Sequence, residues 1–169
     1  MKTAVVYYSL EGSTRLAAQV IAERLGADLF ELHEKRQRKT GFALFAGGGF
    51  AAALGVRSRL KDNFGDRMKE YDRIFAGAPI WASSPAPALN TFLHAVEPRG
   101  KQLILFTVQA DPNTDAPPQK SMEKRCALLR KKGADVLPVL RLYGASPGKT
   151  ATKESMEKQL GGKLKNFKQ

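Results

Sequence analysis

The chain has 169 residues, of which 43% are hydrophobic, so it is long enough for one domain with a sizeable buried core. Its single cysteine, Cys126, excludes an internal disulfide and a cysteine cluster for zinc or iron–sulfur. The formal net charge is +12, from 28 basic and 16 acidic side chains. Such a balance indicates an acidic partner, a nucleic acid or an anionic membrane surface, and it carries no information about the fold.

The N-terminal stretch has the pattern of a strand, a turn and a helix. Residues 3–8 form an apolar, β-rich run typical of a strand buried on both faces. Residues 9–14 place hydroxyl side chains around Gly12, and apolar residues then recur at helical spacing from 16 to 25. A helix leaves backbone N–H groups unpaired in its first turn, so this arrangement predicts an anion seat. An ordinary turn with a serine N-cap is the alternative interpretation.

The rest of the chain continues the alternation of strands and helices. Further strands are predicted at 28–32, 73–78, 102–108 and 136–142, and further helices at 88–96, 120–132 and 152–167. Five strands alternating with helices predict a single α/β domain over residues 1–169, with a doubly wound parallel sheet covered on both faces. No signal peptide or membrane-spanning run is predicted, so a cytoplasmic location is the default expectation.

The segment 40–56 is uncharged and lies between two basic groups, 35–39 and 57–61. Three consecutive glycines at 47–49 argue against a rigid isolated helix. We favour a helical segment that packs on the sheet and has solvated basic ends. A docking surface for an anionic membrane or an apolar acceptor such as a quinone stays open as the alternative.

Two further patterns are interpreted as structural rather than functional. Residues 144–150 read GASPGKT and resemble a Walker A loop, but the first glycine of that motif would fall on Tyr143. We therefore interpret this segment as a surface turn before the last helix. His33 and His94 lie apart with no cysteine or aspartate at a ligand spacing, so no metal site and no histidine base are predicted.

Several segments resemble the flavodoxin family. The stretch from Ser9 to Thr14, SLEGST, is similar to the phosphate loop of that family. The stretch YDRIFAGAPIW at 71–81, followed by Pro85-Ala86-Pro87 and Phe92-Leu93, resembles a longer ordered pattern of the same family. The glycine-rich residues 41–49 with the trailing Arg-Ser-x-Leu resemble a variant region. The resemblance implies a flavodoxin-like three-layer sandwich with strand order 2-1-3-4-5 and non-covalently bound FMN.

In a doubly wound sheet, ligands bind beyond the carboxyl ends of the strands, where three loops should meet. The resemblance implies that the first loop binds the ribityl phosphate, and its candidate contacts are Ser9, Leu10, Glu11, Gly12, Ser13 and Thr14. Glu11 is expected to turn outward, because a carboxylate would repel the phosphate. The candidate flavin contacts in the second loop are Pro79, Ile80, Trp81, Ala82 and Ser83. Those in the third loop are Thr107, Val108, Gln109 and Ala110. A core tryptophan is the alternative interpretation of Trp81.

The predicted function is that of an FMN-binding redox protein, either in electron transport or as an NAD(P)H/quinone-type oxidoreductase. Its redox partner is unknown, with an acidic protein, a nicotinamide and a quinone as the candidates. A receiver-type signalling domain is one alternative, but it needs an acidic cluster where Ser9 and Leu10 stand. A basic nucleic-acid-binding protein is another, but no such motif accompanies the charge, so no nucleic-acid partner is predicted. Flavodoxins that carry electrons are typically acidic, so the positive net charge argues against a standard electron carrier.

Overall fold

The computed structural model describes residues 1–36, 56–62, 64–146 and 148–167. The strands are β1 (Thr3–Tyr7), β2 (Asp28–Glu31), β3 (Arg73–Trp81), β4 (Ser84–Pro85), β5 (Gln102–Gln109), β6 (Asp135–Val136) and β7 (Leu140–Tyr143). The α-helices are α1 (Ser13–Leu25), α2 (Pro87–Ala95), α3 (Lys120–Lys131) and α4 (Lys153–Lys163). Short 3-10 turns lie at Arg67–Glu70 and Lys165–Phe167.

The described strands form one sheet, whose main order is β2-β1-β3-β5-β6. Strand β1 pairs in parallel with β2 on one side and with β3 on the other, and β3 pairs in parallel with β5. In β1, Ala4 and Val6 face one hydrophobic cluster while Val5 and Tyr7 face the other. Both faces are therefore buried, as the continuous apolar run predicts, and the doubly wound α/β fold is confirmed.

The predicted count of five strands is wrong, because the described sheet has seven. Pro138 has no backbone N–H, and it lies in the gap that separates β6 from β7, both of which pair with β5. The other additional strand is β4, which pairs antiparallel with the end of β3. The chain reverses there at Ala82 and Ser83, whose φ angles of 46° and 61° are typical of a type I′ turn. Residues 79–81, predicted as loop, belong to β3.

The helices form two layers that cover the two faces of the sheet. On one face, Ile21 of α1 and Leu160 of α4 are fully buried in one cluster. On the other, Phe92 of α2 and Met122 of α3 are almost completely buried in a second cluster. Cys126 belongs to this second layer, and burial raises the pKa of its thiol. None of the described helices is long and apolar enough to cross a membrane.

The described residues of the two basic groups, at 35–36 and 57–61, lie beside each other. The backbone N–H of Lys35 donates to the carbonyl of Arg59 at 2.8 Å, and that of Lys61 donates to the carbonyl of His33 at 2.8 Å. The helix and docking hypotheses for 40–56, and the variant region at 41–49, concern residues outside the described ranges, except Val56.

Candidate functional site

Three loops meet at the carboxyl edge of the sheet, as predicted, and form one pocket with an empty volume of about 710 Å³, including the open space at its entrance. The pocket brings together eleven of the fifteen candidate residues: Ser9, Leu10, Glu11, Ser13 and Thr14 from the first loop, Pro79, Ile80 and Trp81 from the second, and Val108, Gln109 and Ala110 from the third.

The other four candidate residues do not line the pocket. Thr107 is fully buried in β5, and its hydroxyl has no hydrogen-bond partner among the described residues. Ala82 and Ser83 form the exposed β3–β4 turn. Gly12 belongs to the first loop, and an added Cβ there would stand 3.0 Å from Cγ2 of Thr150. These four residues belong to the framework of the loops and do not form the inner surface of the pocket.

The first loop has the backbone geometry of an anion seat. Gly12 has a φ of 100°, in the left-handed region that favours glycine, and its N–H donates to Oγ of Ser9 at 3.2 Å. Helix α1 begins at Ser13 without a side-chain cap and without an acidic residue in its first turn. The alternative of a serine N-cap is therefore wrong. The first N–H groups of α1 and the positive end of its dipole suit a bound anion.

A network of side chains holds the first turn of α1 against the neighbouring strand. Glu31 of β2 accepts a hydrogen bond from the guanidinium of Arg15 at 2.7 Å and another from the hydroxyl of Tyr7 at 3.0 Å. Burial, together with the nearby Glu31 carboxylate, raises the pKa of Tyr7 to about 12, so its hydroxyl stays a donor at physiological pH. The network fixes where α1 begins relative to the pocket.

The turn before the last helix is exposed at Ser146 and from Gly148 to Thr150, as interpreted from the sequence, and it also forms a fourth loop, at 144–151, that reaches the pocket. Gly144, Ala145 and Lys149 line the pocket beside the first loop. The backbone N–H of Ala151 donates to Oγ of Ser13 at 2.9 Å. An added Cβ at Gly144 would stand 2.6 Å from Cγ1 of Val108, so only glycine allows this close approach. Gly144, Ala145 and Lys149 of GASPGKT therefore contribute to the pocket, although the spacing of this segment excludes a Walker A loop.

Glu11 connects the first and fourth loops. Its carboxylate accepts a hydrogen bond from the N–H of Gly148 at 3.2 Å, and its carbonyl accepts one from the hydroxyl of Thr150. The side chain is half-buried and contributes to the lining of the pocket. The expectation that Glu11 turns outward did not foresee this contact, because its partners Gly148 and Thr150 lie almost 140 residues further along the chain.

Trp81 has a place both in the core and in the pocket. Its side chain is buried, and its ring meets Tyr8 edge-on with centroids 5.9 Å apart and planes at 85°. It also lines the pocket. The two interpretations of Trp81 are therefore compatible, since the contact with Tyr8 fixes the orientation of a ring that also faces the pocket.

A buried arginine that sequence reasoning missed orders the third loop. Arg141 of β7 is 5% exposed, and its guanidinium donates to Oε1 of Gln109 at 3.0 and 3.2 Å. It also donates to the carbonyls of Ala116 and Pro117. The amide of Gln109 in turn donates to the carbonyl of Asp111 at 3.0 Å. These bonds fix the orientation of the Gln109 side chain and order the third loop, which contributes to the pocket.

Comparison with known proteins identifies the family. The family model for flavodoxin matches residues 56–141, just over half of the chain. The chain belongs to the flavodoxin family. This family match covers β3 and the second loop, on which the resemblance in the sequence chiefly rests, together with the third loop and Arg141. A comparison with curated proteins found no matching sequence.

Solved structures share the fold of this flavodoxin-family chain. A provisionally assigned flavoprotein from Bacteroides uniformis is 21% identical, with 95% of this chain and 97% of that chain covered and a TM-score of 0.72. A flavodoxin, WrbA-like protein from Agrobacterium tumefaciens is 19% identical, with 98% and 96% covered and a TM-score of 0.60. A flavoprotein from Lactobacillus acidophilus, solved in complex with FMN, is 19% identical, with 84% and 91% covered and a TM-score of 0.54. These likenesses confirm the flavodoxin-like fold.

Proposed function

We propose that this chain binds FMN non-covalently in the pocket and acts as a redox protein. One observation carries the proposal: the pocket joins an uncapped helix N-terminus to Trp81 and to the third loop, which the bonds between Arg141 and Gln109 order. This arrangement suits a ligand with an anionic end and a flat aromatic ring. Membership of the flavodoxin family supports the same ligand, and one structural neighbour was solved with FMN. The flavin supplies the redox chemistry, and the chain binds and orients it.

Each loop has a separate role in this proposal. The first N–H groups of α1 and the hydroxyls of Ser13 and Thr14 bind the phosphate. Trp81 packs against the ring system, and its contact with Tyr8 limits the entropy lost on binding. The third loop, which the bonds between Arg141 and Gln109 hold in place, lies along the polar edge of the ring. The receiver-type and nucleic-acid-binding alternatives gain no support from the family match.

We expect the bound flavin to be FMN rather than FAD. The first loop has one compact phosphate seat, and the sequence has no second glycine-rich βα turn for an adenylate half. Flavin released by heat from the purified protein, or from protein titrated with FMN, should elute with FMN on chromatography. Elution of mainly FAD, or absence of any flavin after titration with FMN, would contradict the proposal.

We also infer that the chain exchanges electrons with a nicotinamide or a quinone, as an oxidoreductase, rather than serving as a low-potential carrier. The net charge of +12 supports this inference. Reduced flavin carries negative charge near N1, which a positive protein potential stabilises and an acidic one destabilises. The basic residues invoked are Lys35, Arg36, Arg38, Lys39, Arg57 and Arg59, of which Arg38 and Lys39 lie outside the described ranges.

The charge leads to a measurable prediction about the flavin. We expect the potential for the second electron to lie at least about 60 mV above that of an acidic flavodoxin, which is a tenfold change in a one-electron equilibrium. The potential should fall as ionic strength rises, because salt screens the surface charges. Potentiometric titration at two salt concentrations measures both effects. A very negative potential that does not change with salt would instead indicate a low-potential electron carrier.

A cytoplasmic location stays a prediction.

A further inference from the structure

The pocket contains a basic side chain that comes from the far end of the chain. Among the described lining residues, Lys149 is the one lysine or arginine, and Glu11 is the one acidic residue. Lys149 follows Gly148, whose φ of 80° lies in the left-handed region, and its own N–H donates to the carbonyl of Ser146 at 3.0 Å. The residue is exposed and lines the pocket.

The backbone around Lys149 is held next to the first loop. Gly148 and Thr150 both hydrogen-bond to Glu11, and Ala151 hydrogen-bonds to the hydroxyl of Ser13, the first residue of α1. These contacts flank Lys149 on both sides. These bonds therefore hold the backbone of Lys149 in a fixed position beside the N-terminus of α1.

The charge of Lys149 is available for a ligand. Within the described ranges, no ion pair joins Lys149 to a carboxylate. Arg15, the basic residue in the first turn of α1, is instead bound to Glu31 at 2.7 Å. Without Lys149, the described lining side chains would have a net charge of −1 from Glu11, which opposes an anion.

We propose that Lys149 binds the phosphate of FMN together with the N-terminus of α1, and that it sets the preference of this site for FMN over riboflavin. The inference rests on the proposed FMN site. A phosphate monoester carries a charge of about −1.5 to −2 at neutral pH, whereas a helix N-terminus contributes only about half a positive charge. The ammonium group of Lys149 supplies a full charge and offsets the repulsion from Glu11.

Titration of the full-length protein with FMN and with riboflavin tests the proposal. Replacing Lys149 with methionine should weaken FMN binding about tenfold at low salt and leave riboflavin within about twofold, since riboflavin has no phosphate. The difference for FMN should shrink to about twofold at 0.5 M salt, where the Debye length is only a few ångströms. Replacing Lys149 with arginine keeps the charge and should retain most of the affinity for FMN.

A matched control separates this local effect from the net charge. Lys131 is exposed in the last turn of α3, beside Gly133, whose carbonyl accepts a hydrogen bond from Gly100 just before β5 begins. It therefore lies at the opposite edge of the sheet from the pocket. Replacing Lys131 with methionine makes the same change in charge and should leave both affinities unchanged. An equal loss of FMN affinity in the two variants would overturn the proposal.

A Glu11→Gln background distinguishes binding of the phosphate from simple neutralisation of Glu11. If Lys149 binds the phosphate, Lys149→Met should weaken FMN binding by a similar factor in both backgrounds. If its effect disappears in Glu11→Gln, Lys149 only compensates Glu11 and the proposal is wrong. Equal losses for FMN and riboflavin would also overturn it. A wild-type protein that binds neither flavin would instead remove the proposed function itself.

Discussion

Replacing Ser13 with alanine and Thr14 with valine is expected to weaken FMN binding by about 2–4 kcal/mol, or roughly 30- to 800-fold in Kd. Both residues line the pocket in the first turn of α1, where no side chain caps the helix. A hydrogen bond to a charged group contributes about 1.5–3 kcal/mol, and two bonds to one phosphate do not simply add. Titration of both proteins with FMN, followed by flavin fluorescence, measures the loss.

Riboflavin is the control for this double variant. It lacks the phosphate, so it should bind the variant and the wild-type protein alike. The control is needed because Oγ of Ser13 also accepts a hydrogen bond from Ala151, and Thr14 is only 2% exposed. The single variant Thr14→Val leaves the contact with Ala151 intact and should show part of the loss. If FMN and riboflavin lose equal affinity, the hydroxyls support the loop rather than bind the phosphate.

The second large effect concerns stability. Replacing Gly77 with alanine is expected to lower the free energy of unfolding by about 2–4 kcal/mol, because overpacking a core typically costs 1–3 kcal/mol and this site leaves no space. Gly77 of β3 lies opposite Phe106 of β5 in the sheet, and an added Cβ would stand 2.2 Å from the phenylalanine ring. Phe106 is fully buried and cannot move into solvent. Urea unfolding at a fixed FMN concentration measures the change.

Gly162 provides a matched control for the same substitution. It lies in α4, and an added Cβ there would meet no atom within 4 Å. Alanine is favoured over glycine inside a helix, so Gly162→Ala should stabilise the protein by about 0.5–1 kcal/mol. Combining Gly77→Ala with Phe106→Leu should recover part of the lost stability. A Gly77→Ala protein as stable as the wild type would show that β3 and β5 pack differently from this structure.

Local patterns in the sequence determined the architecture. The apolar run at 3–8, the hydroxyl-rich turn around Gly12 and the helical spacing up to Leu25 predict β1, the first loop and α1. Each of these signals depends on neighbours within a few residues, such as the alternation of side chains or the need for a positive φ. The parallel order follows from the alternation of strands and helices, so the edge at which the three loops meet could also be predicted.

Where a local pattern was incomplete, the prediction was wrong in detail. The apolar spacing at 136–142 indicates one strand, yet Pro138 leaves two short strands, because a residue without an N–H cannot complete the hydrogen bonds of a ladder. The three prolines at 79–87 indicate a loop, yet β3 continues to Trp81. The hairpin turn at Ala82 and Ser83 has positive φ angles, which alanine and serine rarely adopt. The sequence therefore contains no residue typical of such a turn, and the turn could not be predicted.

Only the tertiary structure decided which residues of the fourth loop and of β7 serve the pocket. Parallel strands bring their carboxyl ends to one edge, and this places Gly148, Lys149 and Thr150 beside Glu11, which precedes them by more than 130 residues. In the same way, Arg141 of β7 reaches Gln109 of β5. A motif with fixed spacing describes residues on one continuous loop, and it cannot describe a site assembled from both ends of the chain. The alternation of strands and helices is encoded locally, whereas these contacts depend on the packed sheet.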